Sequence, residues 1–283
     1  MKIGVVGLGL IGGSLCKAIK KKTHEGVFGL DIDKSAVVQA ITEEAIDGEL
    51  TTENLKMCDI VIISLHPGQT INFIEENKNN FKKGGIVFDT CGVKETIVSS
   101  AEKSLEGTGT EFLGVHPMAG REFSGYAYSV DNLFEKASFI MTPTENTPAQ
   151  VVEAVKDFAI KIGFAKTVVT TCEEHDRVIA FTSQLAHVVS NAYVKSPSLL
   201  KQTGFSAGSF KDLTRVAKLN ENMWTELFLM NREPLLEEID NIIDRLSEYR
   251  TAIENNDEKN LKQLLKEGRE LKEKSLENEI RQD

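Results

Sequence analysis

His116 is the side chain in this sequence best suited to move a proton. It stands in His116-Pro117-Met118-Ala119-Gly120, directly after an apolar run, Glu111 to Val115, that reads as a strand. The proline fixes the chain beyond it, and the glycine lets backbone approach closely. An imidazole titrating near about 6.5 can take a proton from an alcohol while hydride leaves to a nicotinamide. Hydrogen bonding to the loop backbone is the competing role. Arg215 is the second candidate. Lys211, Asp212, Arg215 and Lys218 give a charged helix face beside Phe210, Leu213 and Val216. Within it Arg215 is the member that can grip an anionic substrate, because guanidinium binds carboxylate through paired N–H donors.

His175 and His187 lie twelve residues apart on one predicted helix, roughly on one face. Metal ligands on a helix normally sit three or four residues apart, so no metal site is expected. His175 follows Glu173-Glu174 and precedes Asp176 at a helix start, which reads as a solvated or capping role. His187 follows an apolar stretch in mid-helix and is harder to place on a surface. Trp224, the single tryptophan, reads as core packing.

A second chemistry is written at the N-terminus. Lys2 to Val6 is a short apolar run, and Gly7-Leu-Gly9-Leu10-Ile11-Gly12-Gly13-Ser14 follows it at once. Glycines there let the chain turn tightly and bring backbone up to an anion. A helix opening at about Leu10 would aim the free N–H groups of Leu10, Ile11 and Gly12, with the positive end of its dipole, at a pyrophosphate. Asp31 ends the next strand, nineteen residues after Gly12, where a carboxylate accepts hydrogen bonds from a ribose diol. A glycine-rich turn that binds nothing would explain the glycines but not the acid. The combination predicts NAD, with Asp31 repelling the additional phosphate of NADP.

These residues need a frame. Strands are predicted at 59–63, 84–89, 111–115, 138–141 and 165–169, alternating with helices at 34–44, 69–77, 93–105 and 147–162. That alternation predicts a Rossmann-type, doubly wound parallel sheet over residues 1–170. In such sheets ligands sit beyond the carboxyl ends of the strands. The glycine loop, Asp31, the loop from Ser64 through His66-Pro67, the stretch Asp89–Lys94 and His116 all fall there, which gathers them into one crevice. Beyond residue 170 the strand signal stops. Residues 171–283 are predicted to be an all-α domain whose long leucine and isoleucine faces suit a partner subunit.

Bulk properties narrow the field. A net charge of −10 argues against non-specific nucleic-acid binding. No stretch reaches about eighteen consecutive apolar residues, so no membrane span is expected. The N-terminus enters the first strand directly, so no signal peptide is expected. Cys16, Cys58, Cys91 and Cys172 are scattered, as reduced thiols of the cytoplasm would be.

Taken in order, several segments form a set. They are Gly7-Leu-Gly-Leu-Ile-Gly-Gly-Ser14, Asp89 through Val93-Lys94, His116-Pro-Met-Ala-Gly120, His175-Asp176 through His187, and Gly208-Ser-Phe-Lys-Asp-Leu-Thr-Arg215 with Trp224. The set resembles the prephenate (or arogenate) dehydrogenase family of tyrosine biosynthesis, over nearly the whole chain, to about residue 232. The resemblance implies NAD-dependent oxidative decarboxylation of prephenate to 4-hydroxyphenylpyruvate, with arogenate as the alternative substrate. It implies that His116 is the catalytic histidine bonded to the ring hydroxyl, that His187 lines the substrate pocket, and that Arg215 grips a carboxylate. It also implies a homodimer through the C-terminal helices. Two positions depart from the pattern. Many members carry serine just before the Val-Lys pair, where this chain has Gly92, so Cys91, Thr90 or a water would have to substitute. Many also carry a histidine three residues before the pocket histidine, where this chain has Gln184. The resemblance puts Arg121-Glu122 at a variable place of the family, expected to bear on substrate preference, and no appended ligand-sensing domain is expected. A β-hydroxyacid dehydrogenase of the 6-phosphogluconate type is the runner-up. It would want a lysine on the helix between Glu173 and Val194, and none is there.

Overall fold

The computed structural model describes residues 1–121 and 123–282, so Glu122 lies outside the described residues. The elements from the N-terminus are β1 (Lys2–Val6), α1 (Leu10–Lys22), β2 (Gly26–Leu30), α2 (Lys34–Thr42) and the short β3 (Gly48–Glu49). Then come β4 (Ile60–Ile63), α3 (Pro67–Asn77), β5 (Ile86–Asp89), α4 (Glu95–Leu105) and β6 (Glu111–Pro117). β7 (Ser138–Thr142), α5 (Ala149–Lys161) and β8 (Lys166–Val169) follow. The strands form one eight-stranded sheet in the order 3-2-1-4-5-6-7-8.

Alternate residues of the central strands feed two apolar clusters, one on each face of the sheet. Ile3, Val5, Ile60, Ile62 and Val115 enter one, and Val6, Val61, Ile63, Val87 and Phe112 enter the other. Burial on both faces is why these strands read as continuous apolar runs. Helices cover both faces, as the doubly wound reading requires.

One strand corrects the expectation of a wholly parallel sheet. β6 pairs with β7 antiparallel, while β7 pairs with β8 parallel again. A parallel return needs a crossover element, usually a helix, laid over the sheet. Among the described residues between Pro117 and Ser138, the one helical element is a short 3-10 turn, Tyr126–Tyr128. That turn packs against α1 instead, where a Cβ on Gly13 would come within 2.8 Å of the Tyr126 ring.

After Val169 the chain is helical: α6 (Cys172–Ile179), one π-helical stretch (Ala180–Leu185), α7 (Ala186–Tyr193), α8 (Gly208–Thr214), α9 (Glu221–Met230), α10 (Arg232–Glu254) and α11 (Glu258–Gln282). The chain divides into two compact units, Met1–Arg232 and Glu233–Asp283. The first contains the sheet and α6 to α9. The second is a helical hairpin, turned at Asn256 in the left-handed region and capped by Asp257, which accepts from Asn260 N. Within it Leu236, Ile243, Leu246, Ile253, Leu265 and Leu271 are exposed. Among the described residues no helix is long and apolar enough to cross a membrane.

Candidate active site

The glycine loop has the geometry of a pyrophosphate cradle. Gly7 lies in the left-handed region with φ +89°, and a Cβ there would strike Ser64 O at 2.3 Å. A Cβ on Gly12 would strike Gly7 O at 1.8 Å. Gly9, by contrast, faces open space with nothing within 4 Å of a built Cβ, so backbone is bare where a ligand would approach. Gly9 is also the N-cap of α1, with no side-chain cap and no acidic residue in the first turn. The N–H groups at this helix start are therefore offered outward. Asp31 Oδ2 accepts from Leu8 N at 2.6 Å, and Oδ1 accepts from Asp33 N at 2.8 Å. The acid thus pins the glycine loop, and its remaining lone pairs are available to a diol. Ser64 sits under the same loop, its N–H on Val6 O at 2.7 Å. These residues fit a dinucleotide, and the acid fits one without a 2′-phosphate.

His116 lies at the carboxyl end of β6, on the predicted crevice side of the sheet. Beneath it is a buried ion pair. Lys94 and Asp89 have no exposed surface and bond to each other through Nζ and Oδ2. Lys94 Nζ also donates to Val115 O at 2.6 Å, and Asp89 Oδ1 accepts from Val115 N at 3.1 Å. Both partners therefore hold the residue just before His116. Removing one would strand a buried charge, at a cost of about 3–5 kcal/mol.

His175, read from its neighbours as solvated or capping, is neither. It is 2% exposed, and its Nε2 lies 2.9 Å from His116 Nδ1. Its Nδ1 lies 2.6 Å from Asp176 Oδ1. Asp176 in turn accepts from Lys94 N at 2.8 Å and Glu95 N at 2.9 Å, which caps α4. The directions of these bonds follow from chemistry. The carboxylate only accepts, so His175 carries its proton on Nδ1 and accepts at Nε2. His116 must then donate from Nδ1, leaving Nε2 with a lone pair. Burial, then His175, then Lys94 hold the His116 pKa well below the ordinary imidazole value. Burial also lowers His175, against the opposing pull of Asp176. The result is a neutral base with a fixed tautomer.

The lone pair faces Gly92, where an added Cβ would sit 3.8 Å from His116 Nε2 and Cε1 and 3.7 Å from Leu227 Cδ2. Neither neighbouring substitute for a serine is bonded to His116. Cys91 is buried with its thiol pKa pushed far up, and its Sγ meets Thr70 Oγ1 at 3.4 Å. Thr90 donates to Ser64 Oγ at 3.2 Å.

His187 and Trp224 form a second cluster, linked to the first through α9, whose Leu227 stands beside the Gly92 position. Their rings stack with centroids 3.7 Å apart and 28° between planes, so Trp224 is a pocket wall and not core. His187 Nδ1 donates to Ser183 O at 2.9 Å, which again leaves Nε2 outward. Burial lowers its pKa, and the charge of Arg215 acts in the same direction, so His187 and Arg215 share one electrostatic neighbourhood. Arg215 itself is exposed at the end of α8. Gln184 does not enter the pocket. It is buried, donates to Leu227 O at 3.1 Å and accepts from Asn231 Nδ2 at 2.8 Å, fastening the C-terminal end of α9. Arg121 is exposed, with Nη1 on Tyr128 O at 3.4 Å. A separate groove of about 350 Å³ runs beside Trp224 and is lined by Val188, Lys195, Glu221 and Phe228. It holds none of His116, His187 or Arg215.

This geometry has relatives. Residues 15–169 match the family described as prephenate dehydrogenase, nucleotide-binding domain, and residues 171–267 match prephenate dehydrogenase, dimerization domain. The chain is 33% identical to a prephenate dehydrogenase of Bacillus subtilis over 280 residues, covering 95% of this chain and 74% of that one. It is similar to the crystal structure of a prephenate dehydrogenase from A. aeolicus in complex with hydroxyphenyl propionate and NAD+, with a TM-score of 0.87, 30% identity and 98% of both chains covered. It is also similar to Synechocystis arogenate dehydrogenase, with a TM-score of 0.83, 26% identity, and 97% of this chain and 100% of that one covered.

Proposed function

The chain belongs to the prephenate dehydrogenase family, and on that premise we propose how its own residues carry the reaction. The protein is an NAD-dependent enzyme that converts prephenate to 4-hydroxyphenylpyruvate by oxidative decarboxylation. Prephenate is a cyclohexadiene with a hydroxyl on one ring carbon and a carboxylate on the opposite carbon. Oxidation at the hydroxyl-bearing carbon gives a ketone, and loss of carbon dioxide then aromatises the ring and makes the step irreversible. Bound NAD supplies the two-electron oxidant.

The N–H groups of Leu10, Ile11 and Gly12, with Gly7 and Gly9 clearing the approach, hold its pyrophosphate. Asp31 accepts from its ribose, and Ser64 flanks it. His116 Nε2 takes the proton of the ring hydroxyl. The imidazolium so formed keeps its Nδ1–H on His175, and His175 keeps its own on Asp176, so a carboxylate compensates the new charge without accepting the proton. Arg215 and His187 orient the carboxylates. The observation that supports this reading best is the His116–His175–Asp176 chain of bonds, which leaves His116 with one free nitrogen in basic form.

The functional division falls at 170/171, with a dinucleotide-binding part at 1–170 and a substrate-binding and dimerisation part at 171–283. The two matched family regions support it. The exposed apolar residues of α10 and α11 support a homodimer through these helices. Sedimentation of the intact protein as a monomer at micromolar concentration would remove the dimer, and deletion of residues 234–283 should yield monomer or aggregate. Four cysteines without disulfides, three of them buried, support a reducing, cytoplasmic setting. The activity is tested by incubating the protein with prephenate and NAD, and separately with arogenate and NAD. NADH should accumulate faster with prephenate, and its failure to form with either substrate would overturn the reading.

A further inference from the structure

We propose that Glu226 is a positioning residue that couples cofactor binding to substrate binding, an inference that rests on the reaction just described. The observation is a helix cap supplied from far along the chain. α3 begins at Pro67, which has no N–H, and its N-cap His66 makes no side-chain cap bond. The Gly68 N–H at this helix start is satisfied by Glu226 Oε1 at 2.5 Å, from a residue 158 positions away on α9. The carboxylate also complements the positive end of α3. Gly68 is shaped for it, since a Cβ there would stand 2.5 Å from Glu226 Oε1.

Each end of this bond leads to a different ligand. On the α3 side, the lead-in residues Ser64 and Leu65 press against the glycine loop. A Cβ on Gly7 would meet Ser64 O at 2.3 Å and Leu65 Cδ2 at 2.9 Å, and one on Gly12 would meet Ser64 Cβ at 3.2 Å. On the α9 side, Trp224 stacks on His187, while Leu227 stands beside the Gly92 position that His116 Nε2 faces. α9 is fastened again just beyond Glu226, toward its C-terminal end. Gln184 Nε2 donates to Leu227 O at 3.1 Å, and Asn231 Nδ2 donates to Asp176 O at 2.8 Å. Glu226 is therefore the bond by which the cofactor loop holds the helix that shapes the substrate pocket. A ligand that orders one side lowers the cost of ordering the other, and by linkage the effect is reciprocal.

The test is the affinity for prephenate, measured by titration calorimetry with and without NADH, whose reduced ring prevents turnover. Unmutated protein should bind prephenate about fivefold or more tightly when NADH is present. In Glu226→Ala and in Gly68→Ala that ratio should fall to within about twofold of one, with NADH affinity in isolation changed less than about threefold. Gly68→Ala separates coupling from stability. Alanine is the better helix former, so a purely structural role predicts an unharmed protein, whereas the contact with Glu226 predicts lost coupling. Glu226→Gln, which can still accept from Gly68 N, should keep most of the ratio. The proposal is overturned if the unmutated protein shows no ratio, or if both alanine variants keep it. Should Glu226→Ala fail to fold, Gly68→Ala and Glu226→Gln decide the matter. Turnover of prephenate by the unmutated protein is measured first, so that a failure of the assigned reaction is seen apart from a failure of the coupling.

Discussion

His175 Nε2 lies 2.9 Å from His116 Nδ1, and this bond decides which nitrogen of His116 is basic. The decision is made at Asp176, an acceptor only, whose oxygens also receive two backbone amides of the α4 start. Asp176→Asn lets the His175 tautomer reverse, which would put the His116 proton on Nε2. We expect kcat to fall by about 10²–10⁴ with KM changed little, as wrong-tautomer substitutions do in relays of this kind. A kcat within threefold of the unmutated value would show that the relay does not set the tautomer.

The same histidines predict how stability depends on pH. Burial holds His116, His175 and His187 below the ordinary imidazole value in the folded protein, while the unfolded chain titrates them near about 6.5. Between the folded values and 6.5 the unfolded chain binds more protons, so stability rises with pH there. Their contribution is fully present above about 6.5 and is lost as pH falls below it. Thermal unfolding should move down by several degrees from about pH 7.5 to about pH 5.5, and the slope should flatten in His116→Asn. An unchanged slope in that variant would mean His116 is not held neutral by the fold.

The parts of this protein legible from sequence are those whose signal is local. The β1–glycine–α1 run is contiguous, and buried parallel strands announce themselves as apolar runs. The antiparallel β7 was not legible, because strand direction depends on how the loop from Met118 to Ala137 packs, and composition does not record that. The role of His175 is hidden from sequence for a related reason. Glu173, Glu174 and Asp176 look like a solvated helix start, yet the end of β6 and the start of α4 close over the histidine from elsewhere in the chain. One local signal for it existed: an acid directly after a histidine can fix its tautomer. Nothing local marks Glu226, whose partner is 158 residues away.

Cofactor choice should follow Asp31. A 2′-phosphate brought beside its carboxylate would meet like charge, roughly 4 kcal/mol for unit charges about 4 Å apart at an effective dielectric near 20, an upper-end figure at a half-exposed site. NAD should be used far more efficiently than NADP, with Asp31→Ala narrowing the difference. Asp31 also pins Leu8 N at 2.6 Å, so the variant should lose NAD affinity as well as gain NADP tolerance. Equal efficiency with both cofactors in the unmutated protein would contradict the assignment.

Gly92 tests the departure from the family pattern. A Cβ there meets His116 and Leu227 at ordinary contact distances of 3.7 to 3.8 Å, and Gly92 is not among the glycines with positive φ. Gly92→Ala should therefore fold normally and keep kcat within about threefold, since no contact is forced. Gly92→Ser adds a hydroxyl near the Nε2 lone pair and should keep or raise kcat by a few-fold. A loss beyond tenfold in Gly92→Ser, with Gly92→Ala active, would show that this protein's base works without a hydroxyl at that position.

His116 and Arg215 should separate kinetically. If His116 accepts the hydroxyl proton as the ring carbon is oxidised, its contribution belongs to the transition state. His116→Asn should then lower kcat by about 10²–10⁴ with little change in KM. Arg215 holds a carboxylate that is present before and after oxidation, so its interaction is mostly uniform binding. Arg215→Ala should lose about 1.5–3 kcal/mol of charge-assisted bonding, read as roughly a tenfold to hundredfold rise in KM, with kcat falling less. Protonation gives a second signature. Because the His116 pKa is held well below the ordinary value, kcat/KM of the unmutated protein should stay high to below about pH 6.5 and fall only under it. That acid limb should vanish in His116→Asn and persist in Arg215→Ala. The roles are wrongly assigned if the two variants share one kinetic pattern, or if the limb survives without His116.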